Sequence, residues 1–237
     1  MLRQMETGQN KTKPSCPAML AKVYAFFLLT IAILFISAGR LSYWQGWLFC
    51  GIYFLFLVIT SFNFADKKDL LAERLKPGPG VKWWDKIFFP FYLFFIAVLL
   101  IVSALDAGRF YWSPRLPVIV YAAAYVAMLA SYSFILWAMW TNKFFSSRVR
   151  IQTDRGHYVI QQGPYRFVRH PGYLGMLFWL FSLPLTLGSL WGLIPAALSI
   201  IAIIIRTYLE DKTLQKELPG YADYAKKVRC RLIKGIW

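Results

Sequence analysis

Gly163-Pro164-Tyr165-Arg166-Phe167-Val168-Arg169-His170-Pro171-Gly172-Tyr173-Leu174-Gly175 separates two long apolar blocks of this chain. The thirteen residues hold two prolines, three glycines, two arginines and one of the chain's two histidines. A segment that only anchors a protein in a bilayer has no use for that mixture. Prolines and glycines fix one backbone path, and His170 with the arginines places polar chemistry on it. A second polar stretch, Arg206 to Tyr224, follows after one apolar hairpin. The sequence therefore reads as a membrane scaffold that brings two polar stretches together.

Of the 237 residues, 58% are hydrophobic and 19% aromatic, with a mean hydropathy of +0.48. Soluble domains do not have this composition. The apolar residues come in long blocks, which predicts an all-α, multi-pass transmembrane bundle of about six apolar segments. The net charge of +16 would suggest nucleic acid in a soluble chain. Here the basic residues fall between apolar blocks, so the positive-inside asymmetry accounts for them and no nucleic-acid partner is expected. Cys16, Cys50 and Cys230 are scattered without metal-ligand spacing, so no metal is expected. Met1 to Lys13 is polar and basic, and the long apolar run behind it reads as a first span, not a cleaved leader.

In order, residues 1–19 read as a cytoplasmic tail and 20–140 as a four-span membrane region. The spans are Leu20–Ala38, Trp47–Phe62, Ile87–Leu105 and Val118–Trp140. Asn63 to Lys86 is a charged connector containing the loop signal Pro77-Gly78-Pro79-Gly80. Trp83 and Trp84 read as an interfacial anchor, with Pro90 in the first turn of the third span. Asp106 to Pro117 reads as a short polar loop. Residues 141–237 form the cytoplasmic-facing, helical C-terminal region, with Gly172–Leu187 and Leu190–Ile205 as two short apolar helices in a hairpin. Of the 27 Lys and Arg residues, 24 fall on the side of the N-terminus, the connector and both polar stretches, and only Arg40, Arg109 and Arg115 on the other. That split predicts a multi-pass integral membrane protein with both termini cytoplasmic. The membrane would be the inner membrane of a bacterium or the endoplasmic reticulum of a eukaryote. Nothing in the sequence sets an oligomeric state.

Arg206 and Glu210 share one helix face if the last apolar helix continues. The plain reading is a surface ion pair of little energetic value. Their place at the inner membrane edge favours function instead, since a half-buried arginine is a fork for a carboxylate. His170 precedes a proline and is biased to extended backbone. His157, taken alone, is a loop histidine before the extended or strand-like run Tyr158-Val159-Ile160. No Walker or Rossmann glycine loop occurs. Leu218-Pro219-Gly220 reads as a break before an aromatic amphipathic helix, and the basic, apolar ending as membrane-surface packing.

From about Asn142 to Trp237 the chain resembles the isoprenylcysteine carboxyl methyltransferase family. The resemblance rests on Gly156-His157-Tyr158-Val159-Ile160, Gly163-Pro164-Tyr165, Arg169-His170-Pro171-Gly172-Tyr173-Leu174-Gly175, and Arg206 followed by Glu210-Asp211. Leu214, Gly220-Tyr221 and Tyr224 continue it. It implies S-adenosylmethionine as methyl donor, contacted by Gln152, His157, Tyr158, Val159, Ile160, Tyr165, His170, Pro171, Gly172, Tyr173 and Glu210. Arg206 would face the methyl acceptor, and Arg206 and Glu210 would be the catalytic pair. The family's usual Glu-Glu is Glu210-Asp211 here, which puts a direct role for Asp211 in doubt, and the Pro-Gly connector has no counterpart that can be mapped.

The chemistry fits that picture. Methyl transfer from a sulfonium is governed by positioning, and rings such as Tyr165 and Tyr173 can stabilise the cation. A carboxylate acceptor needs no general base and can be fixed by Arg206 through paired hydrogen bonds. An amine or thiol would need Glu210, Asp211 or His157 to take a proton. The reading is carboxyl O-methylation of a lipophilic acid that arrives from the bilayer. A phospholipid N-methyltransferase, an NADPH-dependent sterol-type reductase of related fold and a non-catalytic relative stay open as alternatives.

Overall fold

The computed structural model describes residues 16–63, 67–233 and 235, and every regular element among them is helical. The expected tail over residues 1–19 lies outside the described residues, except for 16–19, which open the first helix. The helices are α1 (Cys16–Ala38), α2 (Trp44–Asn63), α3 (Lys68–Leu75), α4 (Trp83–Ser103), α5 (Val118–Thr141), α6 (Pro171–Thr186), α7 (Leu193–Glu217) and α8 (Tyr221–Lys227).

Five of these are long and apolar enough to cross a membrane: α1, α2, α4 with its extension to Phe110, α5 and α7. Large apolar side chains such as Ile36, Phe94, Val118, Val126 and Ile201 stay exposed on the outside, as a lipid-facing surface requires. The protein is a multi-pass integral membrane protein. Leu34, Leu99, Met128, Leu180, Leu183 and Ile203 form its fully buried centre. Helices α5 and α6 approach closely because Gly175 leaves room: a Cβ there would meet Ile135 Cγ1 at 2.6 Å and Ser131 O at 3.1 Å.

The sixth expected segment, α6, has 16 residues. It still runs from one end of the bundle to the other. Its N-cap, His170, sits beside the C-terminal segment, donating its backbone N–H to Arg231 O at 3.0 Å. Beyond its last turn, Leu187 O accepts from Tyr43 Oη at 2.5 Å, near the start of α2. Sixteen residues at roughly 1.5 Å each reach about 24 Å, short of a hydrocarbon core of about 30 Å.

Three boundaries differ from the sequence reading. The last apolar helix does not stop at Ile205; α7 runs on to Glu217, because no proline or glycine intervenes and Arg206, Thr207 and Asp211 are buried along one face. The expected break comes at Leu218-Pro219-Gly220, with Gly220 at φ +80. Pro90 lies inside α4, since the helix already starts at Trp83. The loop expected from Asp106 begins as a wide π-helical turn over Ala104–Phe110. It is held by the fully buried Asp106, which accepts from Ser113 N and Oγ and from Ser189 Oγ, each at 2.6 Å. The connector holds the short helix α3, and Tyr158–Ile160 is extended without a partner strand among the described residues.

At the end of the bundle opposite Asp106 the polar segments lock together. Glu73 of α3 receives Arg150 in a bidentate pair at 2.7 and 2.8 Å. Lys67 Nζ donates to Trp140 O at 2.9 Å, and Lys82 pairs with Glu217 at 2.7 Å. The connector is thus a wall laid across the mouth of the helices.

Candidate active site

A cavity of about 1270 Å³, its open mouth included, lies beneath that wall. Gln152, His157, Tyr158, Val159, Ile160, Tyr165, His170, Pro171, Gly172, Tyr173, Arg206 and Glu210 all line it. Residues separated by up to 58 positions in the chain, Gln152 to Glu210, thus share one space. They come from the loop after α5, the first turn of α6 and the polar half of α7.

The loop is shaped by its own hydrogen bonds. Buried Gln152 donates from Nε2 to Phe144 O at 2.7 Å, and its Oε1 accepts from Arg155. Its backbone N–H donates to His157 Nδ1 at 3.3 Å, and its carbonyl accepts from His157 N at 3.2 Å. Burial, with help from the Arg150 and Arg155 charges, pushes His157 down to about 4. The ring is therefore neutral, which is what an accepting Nδ1 requires. It packs on Phe144 with centroids 4.5 Å apart, and Tyr158 meets the same phenyl edge-on at 5.2 Å. Tyr165 Oη accepts from Asn142 Nδ2 at 3.1 Å, and burial pushes its phenol up.

The α6 turn and α7 meet through two adjacent acids with different duties. Glu210 accepts a hydrogen bond from Tyr173 Oη and faces the cavity. Tyr173 in turn stacks on His170 with centroids 5.7 Å apart. Asp211 is fully buried and does not line the cavity. It takes Arg169 in a bidentate pair at 2.7 and 3.0 Å. It also accepts from Arg231 Nε at 2.9 Å, Tyr221 Oη at 3.0 Å and Gln215 Nε2 at 2.7 Å, and contacts His170 Nε2 at 3.2 Å. The shorter Asp side chain is the knot that fixes the C-terminal segment and orients His170.

The plain reading of Arg206 and Glu210 as an exposed pair does not hold. Arg206 is buried, and its partner is Asp85 at the start of α4, 2.9 Å away. Arg206 Nη2 also donates to Ser147 O at 2.9 Å. The guanidinium sits over the rings of Phe88 and Tyr173, 5.0 and 5.4 Å from their centroids. Its Nε is buried with no hydrogen-bond partner among the described residues.

The cavity has two ends of different character. Toward the loop and α8, Val159, Leu214, Leu218, Tyr221 and Tyr224 pack around it. Toward the membrane core, Tyr92, Tyr173 and Met176 belong to the central apolar cluster, with Phe89 beside them on the cavity wall. Asp85, Asn142 and the connector were not assigned to the site from the sequence. An aspartate at the start of an apolar span needs a buried cation, and that is the signal by which Asp85 could have been found.

Residues 121–216 match the model of the isoprenylcysteine carboxyl methyltransferase (ICMT) family. The resemblance read from the sequence is this family's. No curated protein matches the chain. The ICMT segment runs from within α5 to the end of α7, so it contains all twelve expected site residues. The match and the apolar helices point to a membrane methyltransferase. Arg74, Phe89 and Tyr92, and the α8 residues Tyr221 and Tyr224, lie outside the ICMT segment yet line the same cavity.

Proposed function

We propose that the protein is an S-adenosylmethionine-dependent methyltransferase that esterifies the carboxylate of a lipophilic acceptor. The observation that carries this reading is the buried Arg206, whose Nε–H has no hydrogen-bond partner among the described residues, on the wall of the cavity that Tyr165, His170, Tyr173 and Glu210 also line.

The residues fit the donor at the loop end. Phe144, His157 and Tyr158 line it with aromatic faces and edges that can pack against a purine, the His157 ring being neutral. Glu210 keeps acceptor capacity beyond its bond to Tyr173 and can hold an ammonium or a ribose hydroxyl. The cations that line this end are already neutralised, Arg150 by Glu73 and Asp154 and Arg169 by Asp211. A 2′-phosphate would find Arg150 and Arg169 already paired at this end of the cavity, and titration with NADPH tests the reductase alternative.

When bound, S-adenosylmethionine supplies an electrophilic methyl group, which a carboxylate oxygen takes as the carbon–sulfur bond breaks, leaving a methyl ester and a neutral thioether. Since no proton moves, no general base is required, and His157 and Glu210 need not act as one. Arg206 is held rigid by Asp85 and Ser147 and presents one edge to the carboxylate as a charge-assisted donor. The Tyr173 ring lies beneath the Arg206 guanidinium and lines the cavity.

The loops that build the cavity are the ones rich in Lys and Arg, so we place the site and both termini on the cytoplasmic side. The test is incubation of the protein with methyl-labelled donor and a membrane lipid extract. Label that mild base releases as methanol marks an ester. Label that withstands base marks N-methylation and overturns the carboxylate reading.

A further inference from the structure

Arg206 is not a free cation. Asp85 sits 2.9 Å from it and is itself fully buried, so the pair carries almost no net charge. A carboxylate brought to Arg206 Nε gains one hydrogen bond but also feels the negative charge of Asp85. Holding an anion there takes a second positive charge.

Arg74 of α3 supplies one. It lines the same cavity. Ser147 joins it to Arg206: Ser147 Oγ donates to Arg74 O at 2.5 Å, and Ser147 O accepts from Arg206 Nη2 at 2.9 Å. The neighbouring Glu73 is tied to Arg150, which fixes the turn of α3 that carries Arg74. The Arg74 guanidinium itself has no hydrogen-bond or ion-pair partner among the described residues and touches only the Phe145 ring, 5.2 Å from its centroid. Burial, and then the charge of Arg206, push it down to about 10, so it is still charged near neutral pH. The other cations on the wall are engaged. Arg150 and Arg169 are in carboxylate pairs, and Arg148 donates to Asp85 O at 3.0 Å with its guanidinium 3.8 Å above the Phe89 ring. A guanidinium that faces the cavity without a counter-ion is available to pair with an anion that enters it. Next to it, Phe89, Tyr92 and Met176 offer an apolar bed.

We propose that Arg74 is a second anion-binding residue, which with Arg206 grips the acidic headgroup of a lipophilic acceptor and makes the site select anionic over neutral acceptors. This rests on the function proposed above. It also places acceptor choice in α3, outside the ICMT segment at 121–216.

The test uses the full-length protein in phosphatidylcholine nanodiscs. The probes are dansyl-labelled undecanoate and its carboxamide, titrated by fluorescence against empty discs. S-adenosylhomocysteine binding is measured on the same samples. The wild type is expected to prefer the carboxylate. In R74Q the carboxylate weakens about tenfold or more, while the carboxamide and S-adenosylhomocysteine bind as before. R74K, which keeps the charge, recovers most of the preference. A wild type that does not distinguish the probes, a preference unchanged in R74Q, or one lost equally in R74K overturns the proposal. Failure of the wild type to bind S-adenosylhomocysteine overturns the methyltransferase reading instead, and the two failures are read from separate titrations.

Discussion

Asp211→Asn should loosen the C-terminal segment far more than Glu210→Gln, although the two residues are adjacent. Asp211 is fully buried and takes both arms of Arg169, whose side chain is only 5% exposed. An asparagine keeps the shape but presents an N–H to a donor and leaves Arg169 without its counter-ion. Breaking one partner of such a pair costs about 3–5 kcal/mol. The bridge to Arg231, more exposed, adds little. The strain falls on what the knot holds: α8, and the backbone bonds Arg169 N to Cys230 O and His170 N to Arg231 O, both 3.0 Å. At roughly 1.4 kcal/mol per factor of ten, α8 amides should exchange about 10²- to several-thousand-fold faster in hydrogen-exchange mass spectrometry. Amides at the α5–α6 interface should change by less than about threefold. Glu210→Gln, which alters a single bond from Tyr173, should leave α8 protected and weaken S-adenosylhomocysteine binding. If α8 in Asp211→Asn exchanges at the wild-type rate, the knot is not what holds the segment and the separation of roles is wrong.

Arg206→Met strands the buried Asp85 and should lower thermal stability as well as turnover. Adding Asp85→Asn should restore most of the melting temperature without restoring activity, and recovery of both would deny Arg206 its role at the acceptor. A Cβ on Gly172 would stand 2.5 Å from Phe145 Cε2, an overpacking of about 1–3 kcal/mol. Gly172→Ala should therefore weaken S-adenosylhomocysteine binding, and the added change Phe145→Leu should regain part of it. His157 has a folded value of about 4 against an ordinary 6.5. Its contribution to stability is complete above pH 6.5 and is lost as pH falls from there toward 4. Replacement by Asn should flatten the melting temperature over that window, and NMR should show the wild-type ring neutral at pH 6.

Much of the fold could be read directly. Hydropathy placed the spans, and Pro219-Gly220 ended the last helix where backbone chemistry requires. The end of α7 was misplaced because Arg206 to Glu217 is polar by composition, while its burial comes from neighbours distant in sequence. The same cause hid the connector's function. Nothing near Arg74 or Asp85 in the chain states that α3 and the start of α4 close over a loop 60 to 80 residues later; that is set by Glu73 meeting Arg150 and by Asp85 accepting from Val149 N. The motif residues were legible because they are dense and local. Asp211 was in view, but its five partners come from four segments, and only their convergence reveals a structural knot.

The most direct test is a calorimetric titration of the purified, detergent-solubilised protein with S-adenosylhomocysteine and, separately, with NADPH. The expected result is saturable binding of S-adenosylhomocysteine, abolished by Glu210→Ala, and no heat with NADPH. Binding of NADPH with none of S-adenosylhomocysteine would contradict the account at its root.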